Sequence, residues 1–483
     1  MKPPSSLAQR SLSSTSWKLG ASLVTVGVLF LRAVFLARML EVSTFGVYAL
    51  AFAIVKLTSV VAEFGLGDAF LHRAPETEDE DRAAAVHLGL TILLTSLWAS
   101  ILTLSAVLAT QPPLRTALVV LTVTVGVLQL ARTPTLILVR RVRHRRLAVI
   151  DLATAVATTA IAVWLASRGA ELWALLATDI VTAAMAFTVL YLWRPPWRAS
   201  LAWIPGVVRY YLGFGSRSFL AGVLSRILER IDDLWTGLFL GTTALGFYSR
   251  AFAFATYPRR FVAQPILSVV AGIYAELKGD SARLSTAFGQ VNALLLRLGF
   301  GIAGLFAVVS SELVYLVLGD RWMPMVPPFR VLLIFAVLVP IECSLAHFFV
   351  AIGRPGHVAR ARAVQLAFVC VGLLVLGSRW GAVGVAAAMS GALLVPICLL
   401  LRWARDYVEF SLARLVAPPL VALVAATGAA VAVRDRAAQL DGSLLTLGLV
   451  TSAFVPVYLG VLLVLERRRL RGLVQTLGQL VRR

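Results

Sequence analysis

Runs of apolar residues, each long enough to cross the hydrocarbon core of a bilayer as an α-helix, follow one another along the chain. Such a crossing takes roughly 20 residues, and about fourteen such runs can be read. Their approximate extents are 17–38, 44–71, 83–109, 114–139, 147–167, 171–193, 213–240, 246–275, 287–310, 326–351, 358–377, 380–403, 413–433 and 444–465. Composition agrees: the 483 residues are 59% hydrophobic and only 14% charged, whereas a soluble domain is typically about 25% charged and 45–50% apolar. The fold class that follows is an all-α polytopic membrane protein. The run 213–240 is the most polar of the set, with Arg217, Arg226, Glu229, Arg230, Asp232 and Asp233 inside it.

Lys and Arg gather in alternate connections. One set holds Lys2, Arg10 and Lys18, then Arg73 and Arg82, then the stretch RRVRHRR from Arg140, and it ends with the Arg-rich tail after Glu466. The other set is sparse, with Arg38, Arg115, Arg168, Arg321 and Arg379 among its few members. The basic side is the cytoplasmic one. Both termini are therefore expected in the cytoplasm, with an even number of spans. The first run is expected to be a retained helix and not a signal peptide.

The net charge of +21 does not point to nucleic acid, because the basic residues lie in short connections and form no separate domain. Cys343, Cys370 and Cys398 all sit in apolar runs and read as small buried hydrophobes, not as a disulfide set or metal site. No cofactor or metal is expected. The short connections leave no extramembrane domain for soluble chemistry, so an enzyme is not expected. ETEDEDR from Glu76 reads as a solvated cytoplasmic loop. The tail ERRRLRGLVQTLGQLVRR puts Leu470, Leu473, Val474, Leu477, Leu480 and Val481 on one helical face with Arg around them, as in a helix lying on an anionic leaflet.

The chain repeats itself. TFGVYALAFA from Thr44 and ALGFYSRAFA from Ala244 agree at Gly46/Gly246, Tyr48/Tyr248, Ala51/Ala251, Phe52/Phe252 and Ala53/Ala253. A weaker echo joins GAELWALLA from Gly169 to GAVGVAAAM from Gly381, matching at Gly169/Gly381, Ala170/Ala382 and Ala174/Ala386. The first pair opens the second and eighth runs, and the second pair opens the sixth and twelfth. The repeating unit is six helices, an even number, so both copies have the same orientation in the membrane, as in two-lobed transporters. The expected organisation is a lobe over 1–195 (helices 1–6), a lobe over 196–405 (helices 7–12), helices 13–14 over 406–465, and a basic tail over 466–483.

Many charges fall within the runs. Lys56, Arg226, Glu229, Arg230, Arg259, Arg260 and Arg297 lie near mid-span. Arg32, Glu63, Asp68, Arg132, Asp179, Arg217, Asp232, Asp233, Arg250 and Glu342 lie nearer the ends. A charge at mid-span costs at least about 2.5–3.5 kcal/mol, so the mid-span set facing lipid would cost on the order of 20 kcal/mol, more than a typical domain's stability. These groups must face one another or a watery cavity. Glu229, Asp232 and Asp233 can neutralise neighbouring Arg on the same helix. The cations left over read as a positive surplus suited to an anionic substrate, with Arg offering planar donor forks that match phosphate oxygens. Candidate substrate-binding residues are Arg32, Lys56, Arg226, Arg230, Arg259 and Arg297. Candidate charge-pairing or ion-coupling residues are Glu63, Asp179, Glu229, Asp232 and Asp233. Asp232-Asp233 does not read as a metal-binding pair, and the lone His347 reads as a packed histidine. Pro134, Pro258, Pro265, Pro340 and Pro396 interrupt helices and permit kinks.

FLARMLEVSTFGVYALAFAIVKLTSVVAEFGLGDAFLHR (Phe35–Arg73) resembles the first helical hairpin of the polysaccharide-transporter, Wzx-like flippases. LGFYSRAFAFATYPRRFVAQPILSVVAGIYAEL resembles their eighth helix, ELVYLVLGDRW (Glu312–Trp322) the segment after their ninth, and WGAVGVAAA (Trp380–Ala388) the start of their twelfth. The resemblance runs along nearly the whole chain. It implies the multidrug/oligosaccharidyl-lipid/polysaccharide exporter fold, two six-helix lobes in a V around a central cavity. It also implies flipping of an undecaprenyl-diphosphate-linked oligosaccharide to the outer leaflet of the bacterial inner membrane by alternating access. The implied partners are that lipid-linked substrate, membrane lipids, and the glycosyltransferases and polymerase of one polysaccharide. The family has no short signature from which residue roles can be carried over, so the candidate sites rest on charge and depth. Two relatives by fold remain as alternatives: a peptidoglycan lipid-precursor flippase, and a cation-coupled multidrug exporter, whose cavity should be neutral or acidic.

Overall fold

The computed structural model describes residues 7–73, 80–141, 144–437 and 442–481. Among them every regular element is helical, and all fourteen expected runs fall on helix. Among the described residues, eleven stretches are long and apolar enough to cross a membrane. One of these, Pro355–Ala404, carries both the eleventh and the twelfth expected runs, with the chain reversing between them at Gly381 (φ 56, ψ −138). The seventh run lies on Pro205–Phe239, whose many charges keep it out of that apolar set.

The packing forms two compact units that divide after Ser249. The first contains helices 1 to 6, Leu7–Met39 through Glu171–Phe187, and also helix 7, Pro205–Phe239. The sequence reading sets the lobe boundary at 195/196. By packing, helix 7 lies within the first unit, along helix 2 (Val42–Thr58) and the short continuation Leu66–His72. In the second unit, helices 13 (Leu412–Ala437) and 14 (Ser443–Val481) pack on each other and on helix 9 (Ser281–Val308). Ala422, Ala426 and Ala430 are fully buried there against Phe454 and Tyr458. Small residues one turn apart let helix backbones approach closely where lipid supplies no hydrophobic drive. Outward faces are apolar, as lipid contact demands: Leu93, Leu97, Ile101, Leu104 and Leu108 form an exposed stripe on helix 3, Glu80–Ala109.

The repeated motif has a structural reason. A Cβ on Gly46 would collide with the main-chain carbonyl of Thr242, and a Cβ on Gly246 would collide with the carbonyl of Val42. The two contacts are the same contact seen from either side: each glycine is the notch that receives the other helix's first residue. Tyr48 and Tyr248, two residues on, are matched as well. Each hydroxyl donates a 2.7 Å hydrogen bond to a carboxylate, of Asp179 and Asp232 respectively. The copies also break at the same register. Helix 2 ends at Thr58 and resumes as the turn Val60–Glu63; helix 8, Thr242–Pro258, passes into a π-helical turn, Arg259–Ala263. Gly169 (φ 75) and Gly381 (φ 56), the paired glycines of the weaker echo, both take the positive φ that glycine accepts without strain.

Proline explains the break in helix 4. Pro134 has no N–H to give the carbonyl of Leu130. The helix divides there into Leu114–Leu130 and Arg132–Arg140, and the Tyr191 hydroxyl donates to the abandoned carbonyl at 2.6 Å. Helix 14 leaves helical geometry at Glu466 (φ −121, ψ 17), where the basic tail begins. The side chains of 468–483, on which the amphipathic-tail reading rests, lie outside the described residues, as do 74–79 of the acidic loop.

Candidate functional site

In the first unit, charges from helices 2, 4 and 7 converge on Glu63. The chain makes this possible by leaving helical geometry just after it: Phe64 (φ 38) and Gly65 (φ 67) both adopt left-handed backbone, which for phenylalanine carries strain of order 1–3 kcal/mol. Bare glycines admit the close approach, for a Cβ on Gly215 of helix 7 would strike the carbonyl of Phe64. Glu63 accepts from Arg132 at 2.9 Å, from Arg226 at 3.2 and 3.4 Å, and from the Gln129 amide at 3.0 Å. Arg226 also reaches Glu229 on its own helix at 3.4 Å, but that carboxylate is 58% exposed. The principal counter-charge of Arg226 thus comes from another helix and not, as the local spacing suggests, from its own.

Lys56, two turns before Glu63, lies within electrostatic reach of Arg226, Glu63, Asp179 and Arg230. Its ammonium sits 5.4 Å from the centre of the Phe52 ring, and the Arg230 guanidinium sits 5.0 Å from that same ring. Arg230 pairs with Asp233 at 3.2 Å. Arg32 donates to Thr158 at 3.0 Å and feels the charge of Asp179. Asp232 is buried under the Tyr248 hydroxyl. The bases and acids named here match one for one. Glu63 and Asp179, acids carried on other helices, lie among these bases.

In the second unit, Arg297 is locked in a forked ion pair with Glu466, with exposures of only 11% and 3%. The Tyr458 hydroxyl closes over the backbone at 2.6 Å from the Arg297 carbonyl. Arg362 pairs with the buried Glu342 at 3.1 Å, and Arg434 with Glu312 at 2.8 Å. Arg259 differs. It opens the π-helical turn, and its guanidinium reaches the neutral Cys343 sulfur at 3.9 Å. It lines a small, otherwise apolar recess walled by Pro258, Val262, Leu295, Leu298, Ile302 and Pro340. The Arg260 side chain lies outside the described residues.

The sequence reading does not include Arg132 and Gln129 among its binding candidates. Their sign is visible only in retrospect: they stand on either side of the division at Ala131, just before Pro134. Tyr48 and Tyr248 could have been found, since the repeat marks both.

Residues 35–327 match the polysaccharide biosynthesis protein family. The chain belongs to that family. Among its relatives is the lipopolysaccharide biosynthesis protein WzxC of Escherichia coli (strain K12), 21% identical over 399 residues, which are 81% of this chain and 80% of the relative. Among solved structures, the lipid II flippase MurJ in an inward closed conformation superposes with a TM-score of 0.77 at 12% identity, covering 92% of this chain and 98% of that one. An inward-facing multidrug-resistance transporter of the MATE family, in the MOP superfamily, superposes with a TM-score of 0.60 at 15% identity, covering 81% and 97%. This polysaccharide biosynthesis protein therefore has the MOP exporter fold and is a multi-pass membrane protein.

Proposed function

We propose that this protein flips an undecaprenyl-diphosphate-linked oligosaccharide, a repeat unit of O-antigen, capsule or exopolysaccharide, from the inner to the outer leaflet of the bacterial cytoplasmic membrane. The observation that carries the reading is the pair of guanidiniums from Arg132 and Arg226, converging from two helices on one anion within the membrane-spanning segments. Forked donors of this kind fit phosphate oxygens better than ammonium does. Arg259, whose guanidinium meets the Cys343 sulfur at the edge of an apolar recess, is a second place where an anion on an apolar chain would be held. Lys56 lies within electrostatic reach of the first site. Arg297, already matched by Glu466, is the least available of the expected set.

The energetics favour outward movement. A diphosphate carries about two negative charges, and moving them out against a negative interior gains up to about 4.6 kcal/mol per 100 mV. The physical part of this reading, diphosphate capture and alternating access, would serve a peptidoglycan precursor equally. The family match favours the polysaccharide substrate, made by glycosyltransferases and consumed by a polymerase.

The test is made in the producing cell. Arg226→Ala or Arg259→Ala is expected to leave protein in the membrane at normal level and to abolish surface polysaccharide while lipid-linked precursor accumulates inside. If Arg132, Arg226 and Arg259 can all become Gln with surface polysaccharide unchanged, the anion-binding mechanism is wrong.

A further inference from the structure

Glu63 occupies the place that the substrate's phosphate is read to take. Its carboxylate receives two guanidiniums from different helices and one side-chain amide. This donor set suits a phosphoryl group as well as it suits a carboxylate. Two arginines this close together, partly withdrawn from water, repel one another and need an anion even when no substrate is bound. The Arg132 guanidinium lies across the bare backbone of Gly67, one turn beyond Glu63, where even a methyl group would press on it at 3.0–3.3 Å. Arg132 thus packs on the helical piece that follows its counter-charge, Leu66–His72.

Glu63 is the last helical residue before the left-handed pair Phe64-Gly65, so its side chain stands at a helix end, where the backbone turns. None of the three charged groups is sealed: Glu63 keeps 18% of its side-chain surface open, Arg226 26% and Arg132 38%. Lys56 lies within electrostatic reach of the same carboxylate. A Glu63 that swings away from the arginines therefore does not lose all its compensation.

We propose that Glu63 is a built-in stand-in for the substrate phosphate: it neutralises Arg132 and Arg226 while the site is empty, and the diphosphate displaces it on loading. The inference rests on the diphosphate reading above and adds to it an exchange of anions at one site. It makes Glu63 a competitor of the substrate, whereas a structural ion pair would make it a support.

The sign of the effect separates the two. The full chain in nanodiscs is treated with dicyclohexylcarbodiimide, with and without undecaprenyl diphosphate as the probe, and coupling at Glu63 is read by mass spectrometry. Saturating probe is expected to raise coupling several-fold, because the carboxylate leaves its guanidinium cage. Unchanged or reduced coupling while the probe demonstrably binds would overturn the exchange and leave the anion site standing. No binding of the probe to the wild-type chain would overturn both. The variants give an independent reading: Glu63→Gln is expected to bind the probe at least three-fold more tightly, and Arg132→Gln more weakly. Weaker binding by a folded Glu63→Gln protein would make Glu63 a structural partner. If that variant does not fold, the labelling of the wild-type chain decides.

Discussion

Glu229 and Glu466 show what an ionisable residue is worth by where its partner stands. Glu466 holds Arg297 in a nearly sealed pair. Its replacement by Gln strands a buried guanidinium, a change that typically costs about 3–5 kcal/mol. Glu466→Gln is expected to lower the thermal unfolding temperature in detergent markedly, and Glu466→Gln combined with Arg297→Leu to recover much of it; a Glu466→Gln protein as stable as wild type would show the pair to be dispensable. Glu229 is mostly exposed and meets Arg226 at 3.4 Å, within one helix. Such pairs contribute about 0.2–0.5 kcal/mol. Glu229→Gln is therefore expected to unfold within a degree or two of wild type, and a large drop would mean that Glu63 does not by itself hold Arg226. The sequence identified the charged residues and their approximate depth. It could not supply the partners. Arg297 and Glu466 are far apart in the chain and lie on helices 9 and 14, and nothing in the spacing of either helix names the other.

Breaks, more than spans, set the geometry of the elements. The apolar runs were legible because burial in lipid is written residue by residue, and each of the fourteen lies on helix. The interruptions at Ser59, Ala131 and Arg259 were legible only where a proline stood near. The left-handed turn at Phe64 had no signature beyond Gly65, and the residue that packs against it, Gly215, is far off in the chain on helix 7. That turn aims Glu63, so the centre of the site stayed hidden while its arginines were in view. The glycine notches yield a test at this scale. Gly46→Ala and Gly246→Ala each place a methyl group on a main-chain carbonyl, which cannot move aside as a flexible side chain can. Overpacking of this kind costs about 1–3 kcal/mol. The two variants are expected to lose stability by similar amounts. Gly272→Ala, where the added methyl group meets open space, is expected to be neutral or stabilising, because alanine is the better helix former. A Gly46→Ala protein that behaves like Gly272→Ala would dissolve the reciprocal contact.

For the whole molecule, the alternation of basic connections predicts sidedness. A single cysteine at exposed Arg198 is expected to label only from the cytoplasm, and one at exposed Thr243 only from outside. Labelling of both from one side would undo the six-helix repeat as well as the orientation. The repeat itself has a further consequence. A contact in which one residue meets a second, and the copy of the second meets the copy of the first, is the pattern two identical chains make about a two-fold axis. Gly46 on Thr242 and Gly246 on Val42 follow that pattern inside one chain. In a pair of identical chains every change is made twice, so a charge introduced on one side appears on the other. Joined in one polypeptide, the halves are free to differ. The glycine contact is symmetric and the charged residues are not: the first half carries Glu63 and Lys56 where the second has Ala263 and Thr256, and the second carries Arg259 where the first has Ser59. No pair of identical subunits could hold that inequality.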